Sequence, residues 1–247
     1  MLTRTAIELE YCIEPEVQQY CGPVFFTLSR QKAEGNVIAN GSFGLVDTGS
    51  KKVLVTCHHV WKEFQEARLI QENLEMCISL GRGPLVVLPP GSAISEDRKL
   101  DIATFDMEPL LGVCGGRKFY PLNLKPPRTV KTGDMVFFIG FQGHHRHIVD
   151  GALHFGVTRF GVKVSSVDGW DIYSDISELK MNPEELGGIS GCPCFRVRPG
   201  KPTELAGFVK AVLGRYLCFT HANCLKKDGT ITKQDPFPYL DEGEKRR

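Results

Sequence analysis

A chain of 247 residues, 42% hydrophobic and 24% charged, has ordinary globular composition and can bury the core of one large β domain or two small ones. Its 30 Lys and Arg balance 29 Asp and Glu to a formal charge of +1, which leaves no basic surplus for phosphates and predicts no nucleic-acid partner. No apolar run nears the ~20 residues of a bilayer span, so no membrane partner is predicted either.

The first ten residues show neither an apolar core region nor a cleavage site, so no secretory signal is read. Nine cysteines, an odd number, then predict reduced thiols and a cytoplasmic location, with disulfides as the alternative. Residues 1–34 receive no element and are read as an N-terminal extension that braces the fold, binds a partner or blocks a cleft. Beyond them come short apolar runs between turn formers: Gly44-Leu45-Val46, Lys52-Val53-Leu54-Val55-Thr56, Leu85-Val86-Val87-Leu88, Met135-Val136-Phe137-Phe138-Ile139 and Gly207-Phe208-Val209. They are strand-length and rich in β-branched and aromatic residues, which predicts an all-β barrel or sandwich. Helical pattern is sparse, with one or two turns expected in residues 61–75. Residues 115–127, rich in Gly, Pro and Lys, read as a linker between halves of similar β character. The charged end, residues 241–247, reads as a solvated tail.

Three segments carry chemistry. In residues 41–60, a strand, a tight turn at Asp47-Thr48-Gly49-Ser50 and a second strand lead to Thr56-Cys57-His58-His59. A histidine at a strand end can serve as general base near neutral pH, or simply as a structural residue. Asp101 opens the apolar run Ile102-Ala103-Thr104-Phe105, where a carboxylate can orient an imidazole. Ser190 lies in Leu186-Gly187-Gly188-Ile189-Ser190-Gly191-Cys192-Pro193. Glycines there permit the backbone angles that turn N–H groups toward one point, as an oxyanion site requires.

Together these segments resemble trypsin-like serine peptidases. Val55-Thr56-Cys57-His58-His59 is similar to that family's Thr-Ala-Ala-His strand end, Asp101-Ile102-Ala103 to its Asp-(Leu/Ile)-Ala segment, and Gly188-Ile189-Ser190-Gly191-Cys192-Pro193 to its Gly-Asp-Ser-Gly-Gly-Pro box. The resemblance implies two six-stranded antiparallel β-barrels with few short helices, at residues 35–117 and 118–225, followed by a tail at 226–247. It implies a His59, Asp101, Ser190 triad, an oxyanion hole from the amides of Gly188 and Ser190, and peptide or protein substrates. Register with the family places Glu184, Glu185, Lys210 and His221 about the substrate pocket. Ile189 stands where secreted members carry an aspartate that pairs with a freshly cut N-terminus, so activation of that kind is not expected. With Val60 in place of a disulfide cysteine, this fits an intracellular member of bacterial or viral type.

Other readings use the same residues. Leu45-Val46-Asp47-Thr48-Gly49-Ser50 matches an aspartic-protease signature, but that chemistry needs a second such carboxylate, which the chain lacks. Cys192, Cys194, Cys218 and Cys224 lack usual zinc spacing and read as buried thiols. His144, His145 and His147 read as a solvated loop rather than a metal site, so no metal and no cofactor are predicted. A catalytically silent module, or one gated by a regulatory protein partner, is the remaining alternative.

Overall fold

A computed structural model of the chain describes residues 15–28, 37–80, 85–114, 117–125, 127, 129–149, 152–179 and 186–232. The first half builds one sheet from β1 (Cys21–Thr27), β2 (Val37–Asp47), β3 (Lys52–Thr56), β4 (Glu75–Ile78), β5 (Val86–Val87), β6 (Ala93–Asp97) and β7 (Ile102–Asp106), in the order β5-β4-β1-β2-β3-β7-β6. β8 (Tyr120–Pro121) adds to β2 in parallel. The second half is a closed barrel of β9 (Met135–Val149), β10 (Ala152–Asp168), β11 (Asp171–Asp175), β12 (Pro193–Val197), β13 (Glu204–Leu213) and β14 (Tyr216–His221), in the order β10-β11-β14-β13-β12-β9.

The expectation of two closed six-stranded barrels therefore holds for the second half alone. Among the described residues the first sheet stays open between β5 and β6. β5 is only two residues long and is followed closely by Pro89 and Pro90, whose rings carry no ladder donor; the chain leaves as a 3-10 turn.

The expected boundaries move as well. β1 pairs with both β2 and β4, so part of the N-terminal extension is an inner strand of the sheet. Past the second barrel, Thr104 Oγ1 donates to the Gly229 carbonyl at 2.8 Å, and Leu225 bridges to Ile231. Residues 226–232 thus fold back on the first sheet, while 233–247 lie outside the described residues. His144, His145 and His147 belong to β9 and are not in a loop: Arg146 and His147 pair with Phe155 and His154 of β10. Only Met135–Phe138 of β9 also pair with β12, so the far end of this hairpin extends past the barrel.

The turn after β2 closes through Asp47 Oδ1, which accepts from the Gly49 amide at 2.9 Å, with Gly49 at φ +102°. Asp47 is accounted for as a hairpin residue. The helix α1 (His58–Ile70) starts directly after β3 and runs longer than expected. It buries Val60, Trp61 and Phe64, and the Trp61 ring meets Phe64 at 5.5 Å and Phe105 at 5.0 Å. Burial of this aromatic face, rather than an N-terminal side-chain cap, anchors the turn carrying His58 and His59.

One hydrophobic cluster spans both halves, joining Val46, Val53, Val55 and Ile102 to Phe137, Ile139, Phe195 and Phe208. Phe208 of β13 lies so near Gly44 of β2 that a Cβ there would sit 2.9 Å from its ring. Phe208 is fully buried. Replacing it with alanine opens a cavity between the halves and should cost ~3–5 kcal/mol. Denaturant unfolding checks this, and an unchanged midpoint would contradict the packing described.

Candidate active site

His59 is the second residue of α1. Its ring Nδ1 lies 2.7 Å from Asp101 Oδ2, and its amide donates to Asp101 Oδ1 at 2.9 Å. Both carboxylate oxygens thus serve one histidine. The Asp101 side chain is 13% exposed and that of His59 48%, so a shielded carboxylate supports a ring with its far edge open. Successive helix positions point about 100° apart. His58 accordingly turns away, with Nε2 3.9 Å from Glu96. Asp101 has φ 55°, the one non-glycine residue with positive φ among the described residues. Such strain persists where the surroundings over-determine it and concentrates at functional sites.

Ser190 is half-buried in the loop joining the 186–189 turn to β12. Its carbonyl accepts from the Ser42 amide at 2.8 Å, and the Gly191 amide donates to the Val209 carbonyl at 2.8 Å. A Cβ at Gly191 would lie 2.3 Å from the Ser42 carbonyl oxygen and 2.5 Å from Thr56 Oγ1. The loop is therefore pressed against β2 and the end of β3, just before His59. The structure brings Ser190 to the His59 end of the first sheet; no hydrogen bond joins its hydroxyl to His59 among the described residues. Such bonds are often long before substrate binds.

The amides of the loop follow a pattern. Ile189 donates to the Leu186 carbonyl, Gly191 to Val209 and Cys192 to Ile189, whereas those of Gly188 and Ser190 have no acceptor among the described residues. A trans peptide points its N–H opposite to its carbonyl. The Gly187 carbonyl accepts from the Gly143 amide at 3.1 Å and the Ile189 carbonyl from the Cys192 amide at 3.0 Å. Both peptides are thus held by their carbonyls with their N–H groups free. Gly188, at φ +92°, has no room for a side chain: a Cβ would lie 2.5 Å from Asn40 Nδ2 and 2.6 Å from the Phe141 carbonyl.

Ser42 and Asn40 went unnoticed in the sequence. Ser42 Oγ donates to the Gly188 carbonyl at 2.8 Å and accepts from the Phe141 amide at 2.9 Å. Asn40 Nδ2 donates to the Phe141 carbonyl at 3.1 Å. The only available signal was a serine between glycines in Gly41-Ser42-Phe43-Gly44.

The pocket residues fare differently. Glu184 and Glu185 lie outside the described residues. Lys210 lies near the Asp101 segment, its Nζ 3.1 Å from the Lys99 carbonyl and 3.0 Å from Asp171 Oδ1. His221 is a correction: it is fully buried, and its ring nitrogens face the Asn223 amide at 3.1 Å and the Val130 amide at 3.4 Å. It caps the 3-10 turn Ala222–Cys224 instead of lining a pocket.

Cys57, His59 and Asp101 place a thiol, a ring nitrogen and a carboxylate oxygen within 4.8 Å of one another. Metal bonds of ~2.0–2.3 Å in tetrahedral array spread neighbouring donors beyond about 3 Å. The 2.7 Å between Nδ1 and Oδ2 instead fits a hydrogen bond. Cys57 Sγ also donates to the Val209 carbonyl at 3.0 Å, and burial followed by the Asp101 charge pushes the thiol well up from its ordinary range. All eight described cysteines are buried thiols. Burial raises Cys218 to about 11 and Cys21 and Cys224 to about 12, from an ordinary value of 9.0. Unfolded thiols ionise first as pH rises, so folding stability should be intact below about pH 8.5 and fall as pH climbs toward 12. Urea midpoints across that range check the sign; a flat profile would contradict it.

No family model and no curated protein matches the chain. Among solved structures it is similar to Deg5, with TM-score 0.50 and 15% identity over 87% of this chain and 90% of that one. It is also similar to a structure concerned with coupled folding and binding of the Sesbania mosaic virus VPg protein, at TM-score 0.49 and 15% identity over 84% of this chain and 91% of that one. A human pathogenic astrovirus serine protease gives TM-score 0.47 and 12% identity over 82% of this chain and 89% of that one. At such identities the likeness speaks for the fold alone, a two-barrel chymotrypsin-like fold whose first sheet stays open among the described residues.

Proposed function

We propose that the chain is a serine endopeptidase using Ser190, His59 and Asp101. The observation that carries this reading is Asp101 holding both the ring and the amide of His59, which fixes the imidazole with Nδ1 toward the carboxylate. In that arrangement Nε2 is the general base. Ser190 Oγ attacks the peptide carbonyl and passes its proton to Nε2. The tetrahedral oxyanion takes hydrogen bonds from the amides of Gly188 and Ser190. Nε2 then gives its proton to the leaving amine, the C–N bond breaks, and an acyl-enzyme remains. Water, deprotonated by the same nitrogen, releases the acid and restores Ser190. Asp101 orients the ring and stabilises the imidazolium.

A second reading is favoured by the missing hydrogen bond between Ser190 and His59: a domain that becomes active only on a regulatory protein partner. Labelling of the isolated chain with a fluorophosphonate separates the two. The peptidase reading expects one adduct, on Ser190, lost in Ser190→Ala and slowed by ~10⁴-fold in His59→Ala. Absence of labelling in the unmodified chain, or equal labelling of the Ser190→Ala variant, would overturn it.

The oxyanion loop gives a separate expectation. Gly188→Ala forces a Cβ into Asn40 and the Phe141 carbonyl, so the Gly188 amide must move. Turnover should fall ~10²–10³-fold with little change in substrate affinity. Steady-state peptide hydrolysis checks this, and unchanged kcat would remove Gly188 from the hole.

A further inference from the structure

Asp101 belongs to the first sheet, where Asp97 Oδ1 accepts from the Lys99 and Leu100 amides at 2.9 and 3.0 Å, while the carbonyls of the same two residues are held from the second barrel. The Lys99 carbonyl accepts from Lys210 Nζ at 3.1 Å, and the Leu100 carbonyl accepts from Thr220 Oγ1 at 2.6 Å. The two carbonyls just before Asp101 are thus each gripped by a side chain of the facing half. Lys210 sits at a β-bulge: Val209 pairs with Phe219 and Ala211 with Cys218, which leaves Lys210 as the extra residue. Bulges beside active sites serve to re-aim a side chain. Its ammonium is then fixed by Asp171, at 3.0 and 3.4 Å from the two oxygens. Asp171 is the ladder partner of Thr220, so the three residues occupy adjacent strands at one end of the barrel.

We propose that Lys210, held by Asp171, is a positioning residue for the triad: with Thr220 it locks residues 99–101 so that Asp101 keeps both oxygens on His59. This rests on the serine-peptidase reading and deepens it. Lys210 does not touch the reacting atoms; it acts through the Lys99 carbonyl. Asp97 of the same sheet fixes the amides of this bend, and the two cross-barrel hydrogen bonds fix its carbonyls and couple the triad to the docking of the halves. Charged and titratable groups of this neighbourhood include Asp171 from β11, Asp101 with its partner His59, Tyr173, and the thiols of Cys57 and Cys218, which burial pushes up.

The test uses the full chain and two readouts. Lys210→Met keeps the aliphatic stem and removes the donor; Lys210→Arg restores a cation. Fluorophosphonate labelling of Lys210→Met should slow by ~10–100-fold, out of proportion to any fall in thermal midpoint, since a misplaced catalytic group costs rate directly. The acid limb of its pH profile should move to lower pH, because an imidazolium without its carboxylate loses its proton more readily. Lys210→Arg should recover most of the rate. NMR titration of the His59 ring, which needs no turnover, should show the same downward move. Wild-type labelling rate and wild-type His59 titration in Lys210→Met would overturn the proposal. If the unmodified chain does not label, the peptidase reading fails, and the NMR titration still decides the positioning role. Should Lys210→Met not fold, Thr220→Val reads the other arm, with the same downward move expected and wild-type titration overturning it.

Discussion

Ser42 donates from its amide to the Ser190 carbonyl and from its hydroxyl to the Gly188 carbonyl, while that hydroxyl accepts from Phe141. Its own carbonyl accepts from Thr56 Oγ1 at 2.7 Å. One buried serine on β2 therefore ties together the loop of Ser190, the strand β9 and the end of β3 that leads into His59. Every polar group in the knot has a partner, and in a low-dielectric interior a satisfied network of this kind is rigid and specific. Were it undone, the loop would lose its alignment to the first sheet.

The second constraint runs the other way across the same junction. Lys210 and Thr220 reach from the barrel to the segment ahead of Asp101, while Ser42 reaches from the sheet to the loop of Ser190. Each half holds a segment of the other that carries a proposed triad residue, with the shared apolar cluster around Phe208 beneath. The site therefore depends on docking of the halves, not on either alone. The same packing disposes of competing nucleophiles. Cys57 beneath His59 and Cys192 beside Ser190 are sealed in, and burial keeps both protonated, so the Ser190 hydroxyl is left as the reactive group in the proposed mechanism.

Much of this was legible in the residues because the features are local. A strand-end histidine pair, an aspartate opening an apolar strand and a serine among glycines are short motifs, and their order carried the fold. The choice between His58 and His59 depended on register with a family, since sequence cannot say which residue of a helix start faces a carboxylate 42 positions later. Strand β1 escaped because every residue in it is buried, so it shows no polar alternation to read. The histidine-bearing hairpin escaped for the opposite reason: its residues have no apolar period, and only backbone pairing between β9 and β10 makes it a strand. Ser42 looks like any polar strand residue until β9, some hundred positions away, covers it. His221 reads in sequence as a pocket residue, and only the fold shows it buried and capping the turn Ala222–Cys224.

The central claim is that Ser190 carries the acyl group while the amides of Gly188 and Ser190 share one oxyanion. It is tested most directly by a crystal structure of the chain after reaction with a fluorophosphonate. The account predicts phosphorus on Ser190 Oγ, with a phosphoryl oxygen ~2.7–3.1 Å from both amides. A phosphoryl oxygen turned away from Gly188, or an adduct on another residue, would contradict it.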